Sequence, residues 1–349
     1  MIPFSSTTND YPYDLGILLC GHGSRDPQAV KEFIDLVDKI KSRIPNIPVA
    51  FGFLEFNRPI IRSALDQLRD LGVKKVIALP AMLFAAGHTK NDIPAVLNKY
   101  SSESGLAIQY GRELGLNSLM VGAAGARVKE TIDNNTSFPV SETLLVVAGR
   151  GSSDPDANSN VCKITRMLVE GFGFGWGETV FSGVTFPLVE PGLRHSLKLG
   201  FRRVIIFPYF LFSGVLVNRV REHSLKIAKD NPGIHFLNAN YLSSHDLVVD
   251  TFMERIHEVI NGENFMNCSL CKYRSNVLGF ESEVGHAQIS HHHHVEGCLE
   301  NCPECGLNHC DCNKDHQKHS EDNSQIHSHQ HVQYPNAEHP LGPVTLRYF

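Results

Sequence analysis

The chain has no excess of positive charge. Its 32 lysines and arginines stand against 37 aspartates and glutamates, for a formal net charge of −5. A surface built to track a phosphate backbone is thereby excluded, and no nucleic-acid partner is expected. No apolar run approaches the roughly 20 residues a membrane-spanning helix needs. The opening MIPFSSTTNDYPYDLG lacks the basic-then-apolar layout of a secretory signal. A soluble, cytoplasmic protein without a membrane partner is the expectation. Cysteine is scarce up to Gly262, where only Cys20 and Cys162 occur, so that stretch is no disulfide scaffold.

What is present instead is a repeat. LLCGHGSRDP (Leu18–Pro27) returns as VVAGRGSSDP (Val146–Pro155), with His22 replaced by Arg150. Pro80, Leu83 and Phe84 return as Pro208, Leu211 and Phe212 at the same offset of 128 residues. At 349 residues the chain can hold one duplicated unit plus an extension. Within each half, short apolar stretches alternate with segments of helical periodicity. DLGILLC, VAFGFLE, KKVIALPAM and LAIQYGREL read as strands in the first half. TLLVVAGR, ETVFSGVTF, RRVIIFPYF and GIHFLNANYL read as strands in the second. Asp26 followed by Pro27 predicts a helix start, with Val30, Phe33, Ile34, Val37 and Ile40 on its buried face. The pattern predicts an α/β chain with one parallel sheet per half, over residues 1–138 and 139–262.

In open parallel sheets, functional groups gather beyond the carboxyl ends of the strands. His22 follows the first strand, Glu55 ends the second and His88 follows the third. Two imidazoles and a carboxylate on one rim suit a divalent ion that must be exchanged rather than caged. In the second half Arg150 stands for His22, and Val215 or Leu216 for His88, while Glu190 is expected near the Glu55 position. The halves therefore divide the labour: one holds metal, and the other closes the cleft and binds an anionic substrate.

Beyond Gly262 the composition changes. Residues 263–349 hold seven of nine cysteines and twelve of nineteen histidines. Cys268 and Cys271 form a CxxC, followed by Cys298, Cys302, Cys305, Cys310 and Cys312. Such spacing serves a zinc site or an iron–sulfur cluster, and spacing alone does not choose. The histidine run His291–His294 and its successors predict an irregular, largely disordered tract that either buffers metal or acts only as a linker.

LLCGHGSRDP, GFLE and PAMLFAAGHTKNDIP together resemble the class II tetrapyrrole chelatases, specifically the sirohydrochlorin cobaltochelatases of the CbiX type. The MNCSLCKYR and HHHHVEG segments are similar to that family's long form. The resemblance implies two flavodoxin-like, chelatase-like domains facing a cleft, with an irregular tail. It implies insertion of Co²⁺ into sirohydrochlorin, with His22, His88 and Glu55 as metal ligands and catalytic groups. It implies cationic contacts to the macrocycle's carboxylates, for which Arg25, Arg58, Lys90, Arg150 and Arg219 are the candidates. A [4Fe–4S] cluster through Cys268 and Cys271 is implied for the tail, with its other ligands open; a homodimer in which each subunit gives a pair is one arrangement. Insertion of Fe²⁺ or Ni²⁺ by the same fold is the near alternative, and a cobalt or nickel storage or delivery protein is the alternative of another class.

Overall fold

Leu15–Gly21 and Thr143–Gly149 are buried along their whole length, as expected of central strands covered on both faces. In the computed structural model, which describes residues 14–263, each is the second strand of a four-stranded parallel sheet. The first sheet comprises β1 (Leu15–Gly21), β2 (Val49–Phe53), β3 (Lys75–Pro80) and β4 (Ala107–Tyr110), in the order β2-β1-β3-β4. The second comprises β5 (Thr143–Gly149), β6 (Trp176–Phe181), β7 (Arg203–Pro208) and β8 (His235–Asn238), in the equivalent order β6-β5-β7-β8. The 128-residue offset holds at both ends of β1, β3 and β4. The loop conformation repeats as well, with Phe56 (φ 61°) matched by Val184 (φ 71°).

Helices α1 (Pro27–Arg43), α2 (Ile61–Asp70), α3 (Ile93–Ser104) and α4 (Ser118–Asp133) follow the strands of the first half in turn. Helices α5 (Pro155–Phe172), α6 (Val189–Ser196), α7 (Val215–Asp230) and α8 (Asp246–Ile260) do the same in the second. The Asp-Pro pairs act as read from sequence: Asp26 accepts from the Gln28 amide, Asp154 accepts from the Asp156 amide, and proline occupies the first turn of α1 and α5.

Alternation along the strands sorts the core into layers. Leu18 and Cys20 face a cluster with α2 and α3, and Leu144, Val146 and Ala148 face one with α6 and α7. The opposite faces, with Ile17, Leu19, Leu145 and Val147, share a single continuous core. That shared core is built by exchange. α8, last in the second half, packs on α1 and β3 of the first, while α4 packs on α5 and α8. Arg255 of α8 is buried and donates to the carbonyls of Glu113 and Leu114, and Arg43 of α1 pairs with Asp250 at 3.1 Å. Periodicity shows that a helix has a face to bury but not which half receives it. Among the described residues no helix is long and apolar enough to cross a membrane. Cys268, Cys271 and the histidine-rich tract lie outside the described residues.

Candidate metal centre

The loop after β1 can be tight only because Gly23 has φ +94°; a Cβ there would lie 1.8 Å from the Glu55 carbonyl oxygen. This close approach lets the Glu55 amide donate to the His22 carbonyl (2.9 Å) and the Leu54 amide to that of Gly21 (2.9 Å). The backbone thus lashes the His22 and Glu55 loops together. His88 arrives from beyond β3, opening a single π-helical turn, His88–Asp92. Ligand atoms of His22, Glu55 and His88 all lie within 4.8 Å of one another, and the two imidazoles meet edge to face at 4.8 Å between centroids. The rim predicted from sequence is therefore a cluster.

The His22 Nδ1–H donates to the Gly23 carbonyl at 2.9 Å, which makes Nε2 the lone-pair nitrogen. That Nε2 is buried and has no hydrogen-bond partner among the described residues. A buried polar atom in that condition is unfavourable by about 1–3 kcal/mol, a penalty that a metal ion would remove. The same surroundings keep the ring neutral. Burial first, then the positive charge of Arg150 and the neighbouring His88, push the His22 pKa down to about 3, against the opposing pull of Glu55 and the Gly23 carbonyl. A neutral imidazole is the form that binds a divalent ion.

The second half repeats the backbone without the donors. Gly151 has φ +85°, with a Cβ position 1.9 Å from the Gly183 carbonyl oxygen, and the Gly183 amide donates to the Arg150 carbonyl at 3.2 Å. Gly183, not Glu190, is therefore the counterpart of Glu55. The expectation for Glu190 is corrected: it lies in the first turn of α6, paired with Arg194 and Lys226 at 3.0 Å each. His22, Glu55 and His88 become Arg150, Gly183 and, at the 128-residue offset, Leu216, so all three donors are lost.

Of the expected macrocycle contacts, Arg25, Arg58, Arg150 and Arg219 are exposed. Arg25 lies over the Phe56 ring at 5.2 Å, and Arg219 donates to the Ser182 carbonyl at 3.3 Å, beside Gly183. Arg150 is close enough to His22 to act on its protonation. Lys90 departs from expectation. Its side chain is 3% exposed, and it bonds to Asp154, itself 2% exposed, with Asp156 at 3.4 Å. Its charge ties the π turn of the first half to the start of α5 in the second, and no pattern local to Lys90 announces a partner so distant in sequence. Burial outweighs Lys90 in setting the Asp154 pKa, which stays raised. Replacing Lys90 alone by Met should lower unfolding free energy by about 3–5 kcal/mol, because one charge is left buried. Lys90→Met with Asp154→Asn, which keeps the helix cap, should recover most of that in urea denaturation. A single variant within about 0.5 kcal/mol of wild type would refute the buried tie.

Sequence reasoning missed Asp92. It accepts from His88 Nδ1 at 2.7 Å and is 1% exposed. The signal was a His-x-x-x-Asp spacing, which places both side chains on one helical face.

Two parallel-sheet α/β domains carry, at one rim of the first, a His₂Glu cluster of a kind that can hold a metal ion. The CbiX family model matches residues 16–131 and again 144–259, once per half, and the chain belongs to that family. It is 37% identical over 268 residues to a sirohydrochlorin cobaltochelatase of Priestia megaterium, covering 76% of this chain and 87% of the relative. To a sirohydrochlorin ferrochelatase of Bacillus subtilis (strain 168) it is 29% identical, over 69% of this chain and 90% of the other. Among solved structures, SirB from Bacillus subtilis with Fe³⁺ superposes with a TM-score of 0.62 at 27% identity, covering 72% of this chain and 97% of SirB. The SirB chelatase of Bacillus subtilis subspecies spizizenii in complex with cobalt gives 0.60 at 25% identity, covering 71% and 96%.

Proposed function

We propose that this chain is a sirohydrochlorin cobaltochelatase, a lyase-class metal chelatase that inserts Co²⁺ into sirohydrochlorin with release of two pyrrole protons. The observation that carries the reading is the convergence of His22, Glu55 and His88 within 4.8 Å of one another, with the His22 Nε2 buried and without a partner among the described residues. His22 and His88 receive the ion as neutral nitrogen donors. Glu55 offsets its charge and serves as an acceptor for a pyrrole proton. Imidazole and carboxylate hold the ion without thiolate, so it remains exchangeable into the macrocycle.

The second half supplies charge rather than donors. Arg150, with Arg25, Arg58 and Arg219, faces substrate carboxylates, for which guanidinium is the suited partner. Arg150→Ala should raise KM for sirohydrochlorin roughly 10-fold or more, the loss of a charge-assisted hydrogen bond of about 1.5–3 kcal/mol. It should also raise the His22 pKa, measured by imidazole NMR, because a neighbouring positive charge is removed. An unchanged KM and an unchanged His22 pKa would remove Arg150 from the site. For the tail, the proposal of a [4Fe–4S] cluster rests on the Met266–Cys271 segment of the sequence alone.

Insertion of Co²⁺, Fe²⁺ and Ni²⁺ into sirohydrochlorin, measured side by side by the absorbance change of the macrocycle, tests the reading. Co²⁺ is expected to give the highest kcat/KM. A higher value for Fe²⁺ would assign the chain to the ferrochelatases instead, and no insertion of any ion would leave a metal-binding protein without chelatase activity.

A further inference from the structure

Both imidazoles of the cluster use Nδ1 locally, but with different partners. That of His22 meets a backbone carbonyl, and that of His88 meets the carboxylate of Asp92. Asp92 is itself held, since its Oδ1 accepts from Asn91 Nδ2 at 2.8 Å. A carboxylate taken out of water is unfavourable unless it is paired, so its presence at a 1%-exposed position needs a reason.

The repeat supplies one. The 128-residue offset holds at β3 and again at β4, with no net insertion between, so Asp92 corresponds to Val220 and His88 to Leu216. Val220 is fully buried in an apolar cluster. The half that lost the imidazole carries an apolar side chain where the other half buries a carboxylate. The backbone differs at the same place. The first half makes a π turn over His88–Asp92, whereas α7 starts directly as α-helix at Val215. Isolated π turns concentrate at functional sites. Three differences between otherwise matching halves thus coincide on one pair of residues.

We propose that Asp92 is a positioning residue for metal capture, fixing His88 with its Nδ1–H turned to the carboxylate and its Nε2 lone pair presented to the ion shared with His22 and Glu55. The proposal rests on the reading of His88 as a metal ligand. Partners of this kind orient a ligating ring and strengthen it as a donor.

The test uses the full chain. Long-range ¹H–¹⁵N NMR of the metal-free protein reads the His88 tautomer, and steady-state insertion reads the KM for Co²⁺. Asp92→Val, which installs the second-half residue, should shift His88 toward the Nε2–H tautomer and raise KM for Co²⁺ by about 10–100-fold. Asp92→Asn, whose amide oxygen still accepts from Nδ1–H, should keep the tautomer and stay within a few-fold of wild type. His88→Leu with Asp92→Val reproduces the second-half pair as a folding control and should match the metal defect of His88→Leu alone. An Asp92→Val protein that keeps the Nδ1–H tautomer and a wild-type KM overturns the proposal. So does a loss of metal use in both Asp92 variants without any change of tautomer. If His88→Leu itself leaves the KM for Co²⁺ unchanged, the ligand reading fails and the proposal with it. Impaired His88→Leu beside normal Asp92→Val overturns the role of Asp92 alone.

Discussion

His22→Ala and His88→Ala each lower Co²⁺ insertion by on the order of 100-fold or more, since loss of a donor should exceed the 10–100-fold typical of losing its outer partner. The His22 variant also separates a ligand from a structural histidine. The variant gives up the Nδ1–H bond to the Gly23 carbonyl but also removes a buried Nε2 that has no partner among the described residues, so the two effects oppose and His22→Ala should unfold within about 1–2 kcal/mol of wild type at neutral pH. As pH falls, the comparison tilts toward the variant. The unfolded imidazole takes up a proton near 6.5, whereas the folded one resists until about 3. The folded pKa is the lower one, so wild type is penalised progressively as pH drops from about 6.5 toward 3, and the alanine variant escapes that loss. Insertion rates and urea denaturation between pH 7 and 4 check both statements. A folded His22→Ala protein with a near wild-type rate would remove the residue from the site.

A chain stopped at Ser244, just before α8, is expected not to fold. Val248, Val249, Phe252, Met253, Ile256 and Val259 of that helix are buried in the core shared by the two halves. At about 1.5–3 kcal/mol for each buried side chain, their removal forfeits roughly 9–18 kcal/mol, as much as the whole stability of an ordinary domain, about 5–15 kcal/mol. A chain stopped at Glu263 keeps every helix and strand described and should melt cooperatively. Circular dichroism and gel filtration of the two chains make the comparison. A cooperative, wild-type melt of the shorter one would show that α8 is dispensable.

The parts of this architecture that are periodic or punctuated were legible before the structure. Fully apolar strands, the Gly-x-Gly turns and the Asp-Pro caps are local signals, and their recurrence at one offset specifies two like sheets. His22, Glu55 and His88 were legible for the same reason, because strand-end residues of parallel sheets share a rim. What was not legible depends on partners far along the chain. The exchange of α4 and α8 is invisible to periodicity. Lys90 looks like a surface cation until Asp154 is placed against it. Glu190 is the first carboxylate after β6, as Glu55 is after β2, and order along the chain alone invites pairing them. The 128-residue offset itself sets Gly183 opposite Glu55, and the backbone bond from Gly183 to Arg150 agrees with it.

If His22, His88 and Glu55 hold the ion, its location is fixed in advance. Crystals of the protein equilibrated with Co²⁺ and measured at the cobalt absorption edge should show an anomalous peak bounded by His22 Nε2, His88 Nε2 and the Glu55 carboxylate. No peak should appear at the matching place in the second half, among Arg150, Gly183 and Leu216. A cobalt peak at the second-half position, or none at the first with the ion bound elsewhere in residues 14–263, would contradict that assignment.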